Sequence, residues 1–516
     1  MIIRVLYKGS CSACLELENE SPYYSPQEYE VFLNGESIYK DKTNVFSLFD
    51  LKPQTQYTVQ VRTADGADEV TFTTESESCA VNVKDFGAVG DGVHEDTAAI
   101  QAAISFLPKG GRIYFPAGTY LSLPLCLRSD LTIELSEGAV IKGSTERERY
   151  PIIPATAGDP EVPLAAWEGN EASMYQSLIH GSYCSNVQIV GKGMIDGNGQ
   201  NGDWWPGFHD FPCARPRVIF LNRCENIVLH GVTVANGPSW HIHPLFSKDI
   251  SILDCMIQAP KVSPNTDAID PESCDQVRII GCKFSVGDDC IAVKSGKIDM
   301  ARKYRTPADH HTVRNCLMQF GHGALTLGSE LAGGIRNLEV TRCVFVATDR
   351  GLRIKSRRGR GKDSIITNVL FDNIRMDKVL TPIVINLWYN CCDPDRYTEY
   401  VWSREKLPID DRTPHMGTFC FRNMECTGAE VAACYIDGLP ESPIDKVVLE
   451  NISVSFAEDA REGVPAMQNF AEKRCRLGLY LDNVREIEVK NVSVTGCVGE
   501  KLITDHCEKV TTEGFE

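Results

Sequence analysis

Long apolar runs are missing from this chain of 516 residues. None approaches the roughly 18 residues that cross a bilayer, so no membrane-spanning segment is expected. The first residues, Met1 to Ser10, lack the apolar stretch and small-residue cleavage site of a secretory leader. A cytoplasmic location is therefore expected, or a secreted one if a leader has been removed. Excess positive charge is also missing: 52 Lys and Arg stand against 70 Asp and Glu, a formal net charge of −18. That balance argues against a nucleic-acid partner while leaving room for a local basic site. Long amphipathic helical periodicity is nearly absent between about residues 185 and 500, which leaves strands to build that stretch.

Cysteine is plentiful instead, with 21 residues, an odd number. Without a secretory leader, reduced thiols are expected. Cys255, Cys282, Cys316 and Cys343 each precede a short apolar segment, as small core residues in a stack would. Cys11 and Cys14 have the spacing of a metal or redox pair, but no second pair stands nearby to complete a zinc site. No metal and no cofactor are expected. The vicinal Cys391 and Cys392 have no assigned role.

Two textures divide the chain. In residues 1–77, Tyr57, Val59 and Val61 alternate with Thr58, Gln60 and Arg62, the period of a half-buried strand. A turn at Ala64-Asp65-Gly66 and a second β-rich run, Glu69 to Thr74, complete a hairpin signal. The approach to this strand, Leu51-Lys52-Pro53-Gln54-Thr55-Gln56-Tyr57, resembles fibronectin type III domains, which implies a small β-sandwich. A sandwich has its own core, so this domain is expected to be removable near Ser78.

Residues 80–516 carry an imperfect repeat. Copies begin at Asn186, Asn226, Asp249, Gln276, Asn337, Asn368, Lys446 and Glu486. Each is a short strand, a Gly or Asn turn and a second strand. No unit could bury its apolar face alone, so the units must stack. The expected fold class is all-β, a right-handed parallel β-helix (solenoid) preceded by the small sandwich. One helix is expected over Asp96–Phe106, capped by Asp96 and closing the open end of the solenoid.

Four polar clusters fall on successive repeats: Asn265-Thr266-Asp267, Gly287-Asp288-Asp289, Gly321-His322-Gly323 and Arg353-Ile354-Lys355. Stacked about 4.8 Å apart, they form one patch. Register brings Asp267 near Asp289, where two carboxylates raise each other's proton affinity and can hold a water. Arg353 and Lys355 share one face, while Ile354 points to the core. Asp288 and Asp289 both reach one cleft if the backbone turns, which Gly287 eases. Hydrolysis of a polyuronide needs an acid, a base that activates water and cations for the sugar carboxylate. Inverting enzymes commonly leave about 6.5–9.5 Å between acid and base.

In this order the four clusters resemble the polygalacturonase family, glycoside hydrolase family 28, over roughly residues 80–500. The segments Val83 to Gly92 and Gly191 to Gly197 are similar to that family too, and an N-terminal fibronectin-like domain resembles its bacterial exo-acting members. The resemblance implies Asp288 as general acid, Asp267 and Asp289 as the water-activating pair, and His322 as a support of the acid. It also implies substrate contacts from Asn265, Arg353 and Lys355, the last two gripping a uronate. His243 is a further candidate contact, weighed against a structural role. His241 and His243 have a metal-ligand spacing, but nothing completes a site with them.

Asp270 and Asp275 are expected to bond their own turns. The basic run from Arg353 to Lys362 is expected to serve uronate binding rather than nuclear import or nucleic acid. Trp204 and Trp205 either line a sugar subsite or belong to the core. The function implied is inverting hydrolysis of α-1,4-galacturonosyl linkages in galacturonate oligomers or pectin fragments. Long segments near 144–180 and 390–418 suggest a blocked, exo-acting cleft. The competing readings are a hydrolase of substituted pectin (xylogalacturonan or rhamnogalacturonan), a calcium-dependent lyase and a non-catalytic β-helical binder.

Overall fold

The computed structural model describes residues 2–158, 162–207, 210–390 and 398–516. Cys391 and Cys392 lie outside the described residues.

The N-terminal alternation produces two small antiparallel sheets. One contains Ile2–Lys8, Ala13–Glu18 and Val45–Leu48; the other contains Glu36–Thr43, Tyr24–Leu33, Gln56–Thr63 and Gly66–Thr73. Tyr57, Val59 and Val61 point inward, as their period requires, against Leu15, Leu17, Val31 and Phe46.

From Ala80 onward the strands of the main sheets are parallel and stack rung on rung, so the chain forms a parallel β-helix, with short antiparallel pairs only in its insertions among the described strands. Val187, Ile227, Ile250 and Val277 pair in register, as do Ile189, Leu229, Ile252 and Ile279. Both columns are buried in one continuous core. The repeat's leading residue adopts a left-handed backbone at Asn186, Asn226, Asp249, Gln276, Asn337 and Asn368, with φ between 51° and 57°. Asn tolerates that region better than most residues, which explains its recurrence there. Its side chain then bonds its equivalent on the neighbouring rung. Asn226 Nδ2 donates to Asn186 Oδ1 (2.8 Å), Asn368 to Asn337 (3.1 Å), Asn451 to Asn423 (3.0 Å) and Asn491 to Asn451 (3.1 Å).

Cys255, Cys282, Cys316 and Cys343 are buried free thiols on consecutive rungs, as their sequence settings suggest. Cys11 and Cys14 are also buried free thiols; Cys14 packs against Val45, Leu253 and Ile280.

The helix runs over Thr97–Phe106 and lays Ile100, Ala103 and Ile104 on the core at the first rungs. Asp96 precedes it but does not cap it. Its carboxylate instead accepts hydrogen bonds from the backbone of Val89 (2.7 Å) and Gly90 (3.0 Å), tying the entry loop to the helix start.

The N-terminal sheets do not stand free of the solenoid. Glu16, 2% exposed, accepts hydrogen bonds from Arg314 (2.7 and 2.8 Å), Asn315 (2.7 Å) and Arg342 (3.3 Å). Ser12 and Ser47 reach the two ring nitrogens of buried His230, and Phe49 stacks on that ring at 5.0 Å. Gly231 and Gly281 have left-handed backbones, and a Cβ on them would collide with Phe49 and Val45, so the two bodies approach to backbone contact.

Candidate active site

Apart from the long sheet, the solenoid has another parallel face. It includes Ile242–Leu245, Ile291–Val293, Leu325–Gly328, Arg350–Lys355 and Thr381–Asn386, with Ile269 bridging Ile242 and Ile291. Ile269, Ile291, Leu325, Leu352 and Ile354 face the core. The alternate positions face outward and carry charge: Asp270, Glu272, Lys294, Arg353 and Lys355.

Register assembles the expected clusters. Ala268 N donates to Asp289 O (3.0 Å), and Cys290 N donates to Gly323 O (2.9 Å). Asp267, Asp289 and Gly323 therefore occupy equivalent places on successive rungs. Oxygens of Asp267, Asp288 and Asp289 lie within 4.8 Å of one another. Three such oxygens could in principle surround a cation. Here, however, cationic side chains already occupy one of the three carboxylates: Arg353 Nη1 is 3.0 Å from Asp289 Oδ1, and Lys355 Nζ is 2.9 Å from Asp289 Oδ2.

These contacts set the protonation states. Burial alone would push the Asp289 carboxyl up, but the Lys355 ammonium and Arg353 guanidinium overcome it and hold Asp289 well below the usual carboxylate range. Asp267 moves the other way: burial, then the charges of Asp270 and Asp288, raise it well above that range. The two carboxyls that register brings together are thus unlike, Asp289 held as the anion and Asp267 shifted toward its protonated form. Asp288 is 21% exposed at its side chain, and its Oδ1 lies 3.3 Å from His322 Nδ1, an interaction that raises the proton affinity of His322.

Glycine makes room for this arrangement. Gly287 does not have a left-handed backbone; its task is close approach, since a Cβ there would lie 2.7 Å from Ser263 O and 2.8 Å from Pro260 O. A Cβ on Gly323 would lie 2.3 Å from Thr326 Oγ1 and 3.0 Å from Asp289 Oδ1. Asp288 lines the cleft while Asp289 closes it from below, fully buried. One oxygen from each of the three carboxyls lies within 4.8 Å of the others, a tighter grouping than the gap of about 6.5–9.5 Å described for inverting enzymes.

The cleft has a volume of about 240 Å³. Asp267, Asp288, Lys294, Arg353 and Lys355 form its floor, and Asn265 and His322 its rim. Asn265 has a left-handed backbone (φ 52°), and its Oδ1 accepts a hydrogen bond from Arg215 (2.6 Å). Glu168 and Trp240 line the cleft too, as do Tyr389 and Met467 from later insertions. Glu168 and Gly169 form the tip of a hairpin between Ala166–Trp167 and Asn170–Glu171. Lys297 N donates to Gly169 O (2.8 Å), Lys303 pairs with Glu171 (2.7 Å), and Trp167 stacks on Trp240 at 5.2 Å. A larger groove of about 520 Å³ lies over the long sheet at Thr312, Glu339 and Leu370, away from the aspartates.

Several expectations require correction. His243 is fully buried between Phe220 and Trp240, and its Nε2 lies 3.0 Å from Glu272, so it supports the cleft wall and does not reach a ligand. His241 is structural as well, bonded to Gly237 N and near Asp267 O. Asp270 is not a turn residue; it is buried on the outer face and paired with Lys294 at 3.3 Å. In the basic run, Arg358 is buried and bound to Glu441 (2.6 Å), so it is not part of a uronate-binding surface. For Trp204 and Trp205 the sequence leaves both roles open: Trp204 is fully buried against Tyr150, Tyr175 and Phe211, and Trp205 packs half-buried against the same cluster, which favours the core. Sequence reasoning missed Lys294, Trp240 and the Glu168 hairpin. Lys294 follows Asp289 by five residues in an apolar strand, and a charge there was the available signal.

The comparisons with known proteins agree with this picture. The family model described as glycosyl hydrolases family 28 matches residues 164–475, and one described as rhamnogalacturonase A/epimerase, pectate lyase-like, matches residues 80–160. A probable polygalacturonase of Vitis vinifera is 32% identical over 399 residues, covering 74% of this chain and 76% of the relative. A solved exopolygalacturonase of Thermotoga maritima superposes with a TM-score of 0.65 at 27% identity, over 82% of this chain and 93% of its own. The family 28 exopolygalacturonase of Yersinia enterocolitica shares the fold over 100% of this chain and 98% of its own, with a TM-score of 0.71 at 20% identity. The chain belongs to glycosyl hydrolases family 28.

Proposed function

We propose that this protein hydrolyses α-1,4-galacturonosyl linkages of galacturonate oligomers or pectin fragments, releasing one or two sugars from a chain end with inversion. The observation that carries the chemistry is the unlike pair Asp267 and Asp289 beside Asp288. Asp288, which lines the cleft and is supported by His322, donates the proton to the departing glycosidic oxygen. Asp267 and Asp289 hold the water whose oxygen bonds the anomeric carbon as the bond to the protonated leaving oxygen breaks, and the water's proton passes to this carboxyl pair, with Asp289 supplying the negative charge. A covalent glycosyl intermediate on Asp289 is disfavoured, because both its oxygens are engaged by Arg353 and Lys355. Arg353 and Lys355, at the floor, also present positive charge to a uronate, and Asn265 contacts the sugar at the rim.

Exo action is supported by the walls. A polymer crossing the site would have to pass the hairpin that carries Glu168 and the insertion that carries Met467. The hairpin is anchored to the floor through Lys297 and Trp240, so it behaves as part of the wall. A time course on a long oligogalacturonate tests this: monomer or dimer should appear from the first time point, with slow loss of polymer viscosity. Early mid-length fragments would refute end-wise cleavage. Proton NMR of the same reaction should show the inverted anomer first.

A further inference from the structure

A second lysine stands on the cleft floor, beside the clamp on Asp289. Glu272 pairs with Lys294 and Gly328 pairs with Lys355, while Val293 pairs with Leu327, which sets these residues in one outward column. Gly328 contributes no side chain, so the column presents two ammonium groups separated by an open rung. Lys355 serves Asp289. Lys294 serves a different set: its Nζ lies 3.3 Å from Asp270 Oδ1, 3.1 Å from Glu330 Oε2 and 4.6 Å from the centre of the Trp240 ring.

The two carboxylates depend on Lys294 unequally. Glu330 also feels Lys297, Lys355 and Arg360. Asp270 is fully buried, and neither of its oxygens has a hydrogen-bond partner of good geometry. Among the described residues its ion pair is the one with Lys294. A buried carboxylate deprived of its cation must take up a proton or move. Asp270 lies three residues after Asp267 on the same rung, so either response reaches the water-activating carboxylate. Below, His243 and Glu272 hold each other, and Arg217 lies 4.9 Å from the Trp240 ring. Arg217 is also close enough to act electrostatically on Asp270, but among the described residues the ion pair of Asp270 is with Lys294.

We propose that Lys294 is a positioning residue for hydrolysis: by neutralising Asp270 beneath the cleft floor, it keeps Asp267 in the place that water activation needs. This inference rests on the hydrolase reading above. It assigns Lys294 a partner inside the protein and no contact with the sugar. Each lysine of the column then stabilises one buried aspartate, Lys355 with Asp289 and Lys294 with Asp270.

The test is a double-substitution cycle on defined galacturonate oligomers, with thermal unfolding followed in parallel. Lys294→Met should lower kcat by about tenfold or more, leave KM within about twofold and lower the unfolding midpoint. Asp270→Asn in the same chain removes the charge that Lys294 neutralises. The double variant should recover kcat to within about threefold of the parent and recover the midpoint. An unchanged kcat in Lys294→Met would overturn the proposal. So would a raised KM that the second substitution fails to correct, since that pattern belongs to a substrate contact. If Lys294→Met does not fold, the double variant decides: a folded, active protein supports the proposal, and an unfolded one rejects it. A parent inactive on every galacturonate oligomer would reject the hydrolase reading itself. The unfolding midpoints would still show whether Lys294 neutralises Asp270.

Discussion

At the scale of single residues, the proposed roles separate proton donation from charge support. Asp288 is the half-buried carboxyl beside His322; if it is the acid, replacing it with Asn removes the proton source while keeping shape. Asp288→Asn should lower kcat by about 10²–10⁴ and leave affinity for a non-cleaved oligomer near that of the parent, measured by calorimetry. Near-normal turnover would remove Asp288 from the acid role. Lys355 has two duties in this geometry, one toward substrate and one toward Asp289. Lys355→Ala should raise KM and also lower kcat. Its loss also lets the Asp289 carboxyl rise from its depressed range. If turnover needs that anion, activity should fall away at a higher pH in the variant than in the parent. A pH–rate profile with an unmoved acid limb would show that Asp289 does not limit turnover.

At the scale of the rung, asparagine ladders stabilise the turns without touching the cleft. Asn337 combines a left-handed backbone (φ 51°) with two side-chain bonds, to Asp309 (2.8 Å) and from Asn368 (3.1 Å). Asn337→Ala loses both bonds and places a Cβ-bearing residue without local hydrogen bonding in the left-handed region. A cost of about 1–3 kcal/mol is expected. It should appear as a lower urea midpoint with kcat unchanged, since this turn belongs to the long sheet. A variant as stable as the parent would mean that solvent replaces the ladder bonds at no cost.

At the scale of the whole molecule, the N-terminal sheets act as a brace across several rungs. A separate core in residues 1–77 suggests that they could be removed, but the interface argues otherwise. Truncation near Ser78 would strip Glu16 from Arg314, Asn315 and Arg342 and uncover His230, Leu253 and Ile280. The shortened protein should aggregate or unfold at a markedly lower temperature. Glu16→Gln should reproduce part of that loss, about 1–3 kcal/mol, because two guanidinium groups lose their anion at a buried position. A soluble truncation with the parent's midpoint would restore the view that this unit is dispensable.

The residues alone determined the β-helix, its approximate repeat starts and the four clusters of the site. They could do so because a parallel solenoid maps sequence onto space nearly linearly: equivalent places in successive repeats become neighbours at the rung spacing. Asp267 and Asp289 meet for that reason. The thiol stack was legible in the same way. Tertiary structure decided what depends on segments outside the repeat. The Glu168 hairpin folds back onto Trp240 and Lys297, and no periodicity announces where an insertion will land. The same covering turned outward positions such as His243, Asp270 and Lys294 into buried ones, so their charges had to find partners within the fold. The dispensable-looking N-terminal unit became a brace through Glu16, whose partners lie about 300 residues away (|i−j| = 298 to Arg314), a distance over which local pattern carries no information.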